Sequence, residues 1–275
     1  MKRIQLFEFE DFNWFPKTIR SGMTNLIVVL HKMMGTKEVI ANLLLDCREA
    51  YQFSKIVDMG SGSGGILPDA VAILNANNCE NIIELLLTDL HPNPEIIKHI
   101  KNSGQKNVTY NSAPLDATNL TQAPSGLKTM LNSFHHMPPK KAKAILKTAQ
   151  DNKQPILIYE MAQNTIPLIL WWILLPLSLL ILFVMALLMT PFSKPLTPMQ
   201  LLFTYIIPII PICYAWDGQA SMPRTYTFKD IEHMLKDIKD ENYKWKISPA
   251  KKANGKSSGY YILGLPTSDN RKQFA

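Results

Sequence analysis

The hydrophobic residues of this chain follow two different patterns. Outside the middle of the sequence, short runs of apolar and β-branched residues alternate with segments whose apolar residues recur at helical spacing. The short runs predict seven strands, at residues 55–59, 83–88, 107–111, 128–133, 156–160, 243–248 and 260–265. Helices are predicted at residues 68–75, 94–103, 139–150 and 227–238. This alternation predicts a parallel, doubly wound α/β sheet, with a polar loop over residues 249–258 joining the last two strands as an antiparallel hairpin.

The N-terminal and central parts of the chain carry the remaining apolar residues. Residues 15–47 have them at the spacing of two amphipathic helices. Between Glu160 and Lys194 all 33 intervening residues are uncharged, and residues 166–189 are almost wholly apolar. Because about 20 helical residues cross the ~30 Å hydrocarbon layer of a bilayer, this segment predicts a transmembrane helix.

A second uncharged run, residues 195–216, predicts the other half of a membrane hairpin, although Pro208 and Pro211 interrupt it. Basic residues flank the pair on both outer sides and only Lys194 lies between the two runs. The positive-inside rule therefore predicts that both ends of the hairpin lie in the cytoplasm. Two alternatives stay open, namely buried core helices of a soluble protein and a re-entrant hairpin that dips into one leaflet.

Composition narrows the class of protein. The chain has 275 residues with 29 Lys and Arg against 22 Asp and Glu, a formal charge of +7, and its 19% of charged residues is below the usual ~25%. Three cysteines with no Cys-x-x-Cys pair fit a reducing compartment. Glu8, Glu10 and Asp11 precede any apolar run, so no secretory signal is expected. The basic excess suits nucleic acid or an anionic membrane surface, and the central apolar run favours the membrane.

The most specific chemical motif follows the first predicted strand. Residues 56–65, Ile-Val-Asp-Met-Gly-Ser-Gly-Ser-Gly-Gly, form a hydrophobic strand that ends near Asp58 and runs into a glycine turn before a helix. Glycines let a backbone approach a ligand closely, and a helix N-terminus offers unpaired N–H groups. The spacing matches neither the dinucleotide nor the triphosphate fingerprint. The Asp58 carboxylate would repel a pyrophosphate and accept an ammonium group, directly or through water.

Acidic residues also follow the next two strands. Asp89 ends the second strand, where a carboxylate accepts hydrogen bonds from a ribose diol. Asp116 follows the third strand and is placed to accept from an adenine amine. Each acid alone is typical of a solvated strand end. Three of them at successive strand ends, where open α/β sheets bind ligands, predict a common site.

These residues resemble the motifs of the class I, Rossmann-like S-adenosylmethionine (SAM)-dependent methyltransferases, over residues 50–160 and again over 217–266. The resemblance implies a seven-stranded sheet with a reversed last strand and an N-terminal helical lid. The central apolar runs then form a helical insertion after the fifth strand. The resemblance also implies SAM as cofactor, with the glycines around its methionine part, Asp89 at the ribose and Asp116 at the adenine. The predicted cofactor residues are Asp58, Gly60, Ser61, Gly62, Gly64, Asp89, Leu90, Asp116, Ala117, Asn132 and Phe134.

Candidate catalytic residues follow the fourth and fifth strands. Residues 129–139 resemble the family segment that ends in a His-containing turn, and His135 or His136 is predicted to act as a general base if the nucleophile carries a proton. A structural role for both rings is the alternative. Glu160, at the end of the fifth strand, either orients substrate or caps the next segment. No metal site is predicted, because adjacent histidines do not readily ligate one ion and no further His or Cys has ligand spacing.

Residues 214–226, after the apolar runs, are dense in polar and aromatic side chains, and residues 217–226 are expected to form a loop. Asp217, Arg224 and Tyr226 are predicted to close the pocket over the substrate. The alternatives are lipid headgroup binding by Arg224 and a structural role for Asp217. The predicted domains are a helical lid at 1–50, the SAM-binding core at 51–160, the membrane hairpin at 161–216 and the completion of the core at 217–275.

Together these features predict a membrane-associated SAM-dependent methyltransferase, with its catalytic domain on the cytoplasmic side, that methylates a lipophilic small molecule or lipid. The methylated atom and the oligomeric state are not predicted. A nucleic-acid methyltransferase is disfavoured and no nucleic-acid partner is expected, because the fourth strand lacks an Asn-Pro-Pro-Tyr or Pro-Cys signature and the basic residues are spread out. A non-catalytic membrane sensor or assembly protein that binds SAM is the other alternative, but it would be expected to lose the three acids, which are present.

Overall fold

The computed structural model describes residues 1–76, 81–238 and 240–267. Its strands are β1 (Lys55–Met59), β2 (Glu84–Thr88), β3 (Val108–Tyr110), β4 (Leu127–Leu131), β5 (Ile156–Glu160), β6 (Tyr243–Lys251) and β7 (Ser257–Pro266). Its helices are α1 (Lys17–Met33), α2 (Thr36–Ala50), α3 (Leu67–Ala76), α4 (Pro94–Asn102), α5 (Pro139–Asp151), α6 (Leu168–Met189), α7 (Pro198–Leu201), α8 (Ile209–Arg224) and α9 (Phe228–Leu235). Short 3₁₀ turns cover Phe9–Asp11, Phe134–His136, Thr190–Phe192 and Lys236–Ile238, and a π-helical turn covers Leu202–Ile206.

The seven strands form one sheet in the order β3-β2-β1-β4-β5-β7-β6. Strands β1 to β5 are parallel, whereas β7 runs antiparallel to both β5 and β6. The strand order changes direction between β1 and β4, and the carboxyl ends of strands at such a point border the crevice in which open α/β sheets bind ligands. The predicted fold class is confirmed: a Rossmann-like seven-stranded sheet with a reversed last strand, N-terminal helices and an apolar helix after the fifth strand.

The last hairpin differs from its prediction. The loop was expected over residues 249–258, but the ladder continues until Lys251 pairs with Ser257 and leaves only residues 252–256 as the connection. Because backbone pairing does not require apolar side chains, the polar residues at the ends of β6 and β7 gave no sign that the strands continue. The positive φ of Gly255, 77°, supplies the turn.

Contacts divide the chain into two compact units, of which the first contains the sheet. This sheet unit comprises residues 35–161 and 231 onward. Its core joins apolar residues of α2 and α3 to those of the central strands, among them Ile40, Leu44, Ile56, Leu67 and Leu85, all fully buried or nearly so. The strands β1, β4 and β5 are apolar along most of their length because helices cover parallel strands on both faces.

The second unit, the helical unit, comprises residues 1–34 and 162–230. Its core is built by α1, α6 and α8, with Met23, Leu26, Met189, Ile210 and Tyr214 among the buried residues. Glycine permits the close approach of these helices. A Cβ at Gly22 would lie 2.5 Å from Ile210 Cδ1, and one at Gly218 would lie 3.1 Å from Leu182 Cδ1.

These units differ from the predicted domain boundaries in two places. Helix α2, predicted as part of the lid, belongs to the sheet unit, because it packs against α3 and β6. Residues 217–230, predicted as part of the core, belong to the helical unit. The loop expected over 217–226 is wrong, since α8 continues to Arg224 and Gly218 lies against Leu182 of α6 instead of breaking the helix.

The apolar insertion supplies a helix with the dimensions of a membrane span. Within the described residues, Leu168–Phe192 is the one helix long and apolar enough to cross a bilayer, with a mean hydropathy of 2.7. The pair Pro198–Ile206 and Ile209–Arg224 passes the same test together but is bent by 79°, as in a broken span or a re-entrant loop. Along α6, Ile169 and Ile173 are 78% and 69% exposed, so much of its apolar surface is not covered by protein.

Candidate active site

A glycine turn connects β1 to α3 at the carboxyl edge of the sheet. Gly60, Gly62, Gly64 and Gly65 all have positive φ, at 67°, 52°, 88° and 54°, which residues with a Cβ rarely adopt. A Cβ at Gly64 would also lie 3.0 Å from Leu87 Cδ1. At Gly62 and Gly65 no described atom lies within 4 Å of the Cβ position. The sequence thus fixes a left-handed turn whose backbone is open to a ligand.

Asp58 stabilises this turn through hydrogen bonds of its carboxylate. Its side chain is buried, one carboxylate oxygen accepts from the Ser61 hydroxyl at 2.6 Å, and the other accepts from the Thr129 hydroxyl at 2.6 Å. Burial raises the pKa of Asp58 to about 7, and the two hydroxyl donors oppose that shift. The predicted cofactor residues Asp58 and Ser61 therefore shape the turn by bonding to each other, and any contact of theirs with a cofactor stays a prediction.

Asp89, after β2, lies beside the same turn. Its Oδ2 accepts from the Gly62 N–H at 3.0 Å and its Oδ1 accepts from the His91 N–H at 2.8 Å. A carboxylate has about four acceptor positions, so two remain for other donors such as ribose hydroxyls. Tyr110, at the end of β3, donates its hydroxyl to the Gly62 carbonyl at 3.0 Å. Sequence reasoning missed Tyr110, although its position at a strand end beside the acids was a usable signal.

The predicted adenine end of the site is more open. Asp116 is exposed and accepts from the Thr118 N–H at 2.8 Å and the Thr118 hydroxyl at 2.7 Å. Leu90 is 43% exposed and Ala117 is half-buried. The preceding residue, Leu115, donates its N–H to the Asp89 carbonyl at 2.9 Å, which ties this loop to the end of β2.

The residues after β4 form the other wall of the crevice. Asn132 has a positive φ of 52°, and its side-chain oxygen accepts from the Met161 N–H at 2.7 Å. The Ser133 hydroxyl is buried and has no hydrogen-bond partner among the described residues. It lies 3.5 Å from the position of a Cβ on Gly60. Phe134, predicted to line the cofactor, is fully buried and belongs to the packed interior.

His135 and Glu160 form a buried pair at the ends of β4 and β5. The Glu160 carboxylate is 0% exposed, and its Oε1 accepts from the His135 backbone N–H at 3.0 Å. Its Oε2 lies 2.7 Å from Nδ1 of His135, a residue that is 6% exposed. A carboxylate in that position favours the tautomer with the proton on Nδ1, which leaves the ring lone pair on Nε2. Neither of the two roles predicted for Glu160 included this bond.

The His136 ring lies beside this pair. Its ring centroid lies 4.3 Å from that of His135, with the two planes inclined by 35°. The bond to Glu160 gives His135 an orienting carboxylate of the kind that a general base uses. Gly259 allows the backbone of β7 to lie close to Glu160, because a Cβ at Gly259 would overlap the Glu160 carbonyl oxygen.

The three candidate residues of α8 and its end have partners in the helical unit. Asp217 accepts from the Phe9 N–H at 2.8 Å and from the Glu10 N–H at 3.2 Å. Arg224, 0% exposed, lies 3.1 Å from Glu8 Oε2 and 2.6 Å from Asp11 Oδ2. These contacts hold the N-terminal segment against α8. They agree with the alternative in which Asp217 has a structural role.

Tyr226 and Glu10 belong to the same group of contacts. Tyr226 is 1% exposed, and the Arg3 guanidinium lies 4.9 Å from the centre of its ring. Burial, assisted by the nearby Asp217 and Glu8 carboxylates, raises the pKa of Glu10 to about 8. A role of Asp217, Arg224 or Tyr226 toward substrate stays a prediction, since the contacts that the structure gives them join parts of the helical unit.

Comparison with known proteins identifies the fold. No protein-family model matches the sequence, and no curated protein matches it. Two solved plantazolicin methyltransferases are similar in structure: BpumL in complex with SAH, with a TM-score of 0.51 and 11% identity, and BamL in complex with triazolic desmethylPZN analog and SAH, with 0.51 and 12%. Each match covers 91% of this chain and 98% of the other. An O-methyltransferase family protein from Burkholderia thailandensis has a TM-score of 0.50 at 12% identity, over 90% of this chain and 60% of its own. The chain therefore has the fold of class I methyltransferases.

Proposed function

We propose that this protein is a SAM-dependent methyltransferase that acts at a membrane on a lipophilic acceptor whose nucleophilic atom carries a proton, such as a hydroxyl or phenol. The observation that carries the proposal is the buried His135–Glu160 pair at the same sheet edge as the glycine turn and Asp89. A nucleoside-binding site occurs in many proteins that catalyse no methyl transfer. A histidine oriented by a carboxylate next to such a site can also remove a proton from a substrate.

The side chains at this edge fit SAM in three respects. The turn at Gly62 and Gly65 has an open backbone that admits the methionine part of the cofactor. Asp89 keeps acceptor positions for the two ribose hydroxyls. The Ser133 hydroxyl, which has no partner in the part of the chain that the structure describes, offers a polar contact beside Gly60. Two of the structures that share the fold are complexes with SAH, the demethylated product of SAM, which supports the same cofactor here.

The chemistry assigns separate tasks to the chain's residues. When bound, SAM supplies an electrophilic methyl group on a sulfonium that is already a good leaving group. The protein's main task is therefore to align the acceptor atom with that methyl group. His135 Nε2 accepts the proton that the acceptor loses, while Glu160 holds Nδ1–H and stabilises the charged ring that results. Glu160 is thus a positioning residue and His135 the catalytic base.

Membrane association is proposed from the apolar helix. The exposed residues of α6 form a surface that water solvates poorly, and a bilayer covers such a surface. Trp171 and Trp172 are the fourth and fifth residues of this helix. Tryptophan is enriched at membrane–water interfaces, so this end of the helix suits an interfacial position. Only seven residues separate Glu160 from the first residue of α6, so the catalytic pair and the membrane segment are close along the chain. This arrangement suits an acceptor dissolved in the membrane, with catalysis on the cytoplasmic side.

The proposal is tested by methyl transfer in vitro. Detergent-purified protein is incubated with SAM carrying a deuterated methyl group and with lipid extracts, and extracted products are searched for the label by mass spectrometry. Labelled lipophilic products should form with the wild type and should be lost with Asp89→Ala. The matched control is Asp151→Ala, an exposed acid at the end of α5 that pairs with Lys147. If no label is transferred although SAM binds, the non-catalytic SAM-binding alternative replaces the enzyme.

A further inference from the structure

A small cavity lies in the helical unit at the first turn of α6. Its volume is about 40 Å³, and its lining includes Lys2, Ile166, Leu168, Trp171 and Met222. A water needs about 10–15 Å³ of such volume, so the cavity has room for roughly three waters or for one group of that size. No described residue that lines it is acidic, and Lys2 is its one charged residue.

Two of the residues that line this cavity carry side-chain hydrogen-bond donors and no acceptor, namely Trp171 and Lys2. Trp171 is 4% exposed, and its indole Nε1–H is buried with no hydrogen-bond partner among the described residues. An unmet buried donor costs about 1–3 kcal/mol, so the indole N–H favours a partner other than the described residues. Lys2 Nζ donates to the Asn164 carbonyl at 2.8 Å and has further protons to donate.

The start of α6 adds a third source of donors. The first amides of a helix have no partner inside it, and the residue before α6, Pro167, has no side chain that could cap them. Aligned peptide dipoles also make this end of the 22-residue helix favourable for negative charge. An indole N–H, an ammonium group and a helix N-terminus together select an anion.

The location selects the kind of anion. The cavity is at the interfacial end of the apolar helix, and Trp172, the next residue after Trp171, is 51% exposed on the same turn. In a bilayer this level is occupied by phosphate groups of lipids. We propose that this cavity binds a phosphate group, supplied by a membrane phospholipid, through Trp171 Nε1–H, Lys2 and the first turn of α6. This proposal rests on the membrane part of the proposed function.

The test compares short-chain lipids by calorimetric titration in a phosphate-free detergent. The probes are dihexanoyl phosphatidylglycerol, dihexanoylglycerol, which lacks the phosphate, and inorganic phosphate alone. The wild type should bind the phospholipid at least tenfold more tightly than the diacylglycerol. Trp171→Phe, which keeps a ring but removes the donor, should weaken phospholipid binding about tenfold, as for a hydrogen bond to a charged group. The matched control Trp172→Phe should change it less than twofold.

Other outcomes separate the sources and the failures. Inorganic phosphate that binds as tightly as the phospholipid, and is weakened by Trp171→Phe, supports a phosphate site filled from solution. Equal affinity for both lipids, or equal effects of the two tryptophan variants, overturns the site. If Trp171→Phe does not fold, Lys2→Gln takes its place with the same expectation. SAM titration and vesicle flotation of the same preparations show independently whether the cofactor and membrane parts of the proposed function stand.

Discussion

Replacing Glu160 by Gln tests whether the buried pair controls the protonation of His135. Glu160 accepts two hydrogen bonds, from the His135 backbone N–H at 3.0 Å and from Nδ1 at 2.7 Å. These two bonds use different carboxylate oxygens, and a glutamine amide has an oxygen at only one of the two positions. If the oxygen stays with the backbone N–H, the amide NH₂ faces Nδ1, which must then become an acceptor.

The alternative arrangement is less favourable. An amide NH₂ turned toward the backbone N–H would oppose two donors in a site where Glu160 is 0% exposed, at a cost of about 1–3 kcal/mol. The His135 ring therefore adopts the other tautomer, with its proton on Nε2, and loses the lone pair that receives the acceptor's proton. General-base catalysis contributes about 10²–10⁴ in rate, or about 3–5 kcal/mol, so Glu160→Gln should lower kcat by that factor.

The assay measures the initial rate of methyl transfer at saturating SAM and acceptor, together with SAM affinity. Affinity for SAM should stay within twofold, because the Glu160 carboxylate bonds to His135 and not to the glycine turn among the described hydrogen bonds. His135→Asn combined with Glu160→Gln should be no slower than His135→Asn alone, since the two residues act as one unit. Glu84→Gln, the same change at an exposed acid of β2 that pairs with Lys55, should leave kcat unchanged. A Glu160→Gln enzyme with at least a third of wild-type kcat would show that Glu160 does not control the protonation of His135.

Three further predictions concern the glycine turn and the buried acids. Gly64→Ala should lower the free energy of unfolding by roughly 1–3 kcal/mol in urea titrations, because φ is 88° and the new Cβ meets Leu87; an unchanged midpoint would contradict the strain argument. The pKa of Glu10 is raised to about 8 from 4.5, so its ionisation costs stability as pH rises between these values; the Tm advantage of Glu10→Gln should grow across that window and level off above it. Burial raises the pKa of Asp58 to about 7, and a cationic cofactor favours the ionised form of this carboxyl group. SAM affinity should therefore increase with pH up to about 7, and SAM binding below that pH should release protons. Both effects should be absent in Asp58→Asn.

The sheet could be predicted from sequence because its signals are local. Lys55–Met59 and Ile156–Glu160 were predicted to the residue, since an apolar run bounded by polar residues defines a buried parallel strand. The glycine turn was equally legible, because its left-handed φ values require the residue type that the sequence displays. The strands of the hairpin between β6 and β7 were predicted too short, since polar side chains at their ends do not indicate main-chain pairing.

The partners of the charged residues could not be predicted in the same way. The His135–Glu160 bond depends on β4 and β5 being neighbours in register, with Leu131 opposite Tyr159, a fact of strand order that periodicity does not contain. Arg224 pairs with Glu8 and Asp11, more than 200 residues away in the chain. No spacing rule connects such positions, so residues predicted for the substrate pocket proved to have partners that stabilise the helical unit.

The most direct test of the account is calorimetric titration of the detergent-purified protein with SAM and, separately, with S-adenosylhomocysteine. We expect micromolar binding of both. Asp89→Ala should weaken SAM binding by roughly tenfold to a hundredfold, as expected for the loss of about 1.5–3 kcal/mol from hydrogen bonds to a carboxylate. Absence of binding by either ligand, or an affinity that Asp89→Ala leaves unchanged, would contradict the assignment of this sheet edge as a SAM site and with it the proposed methyltransferase.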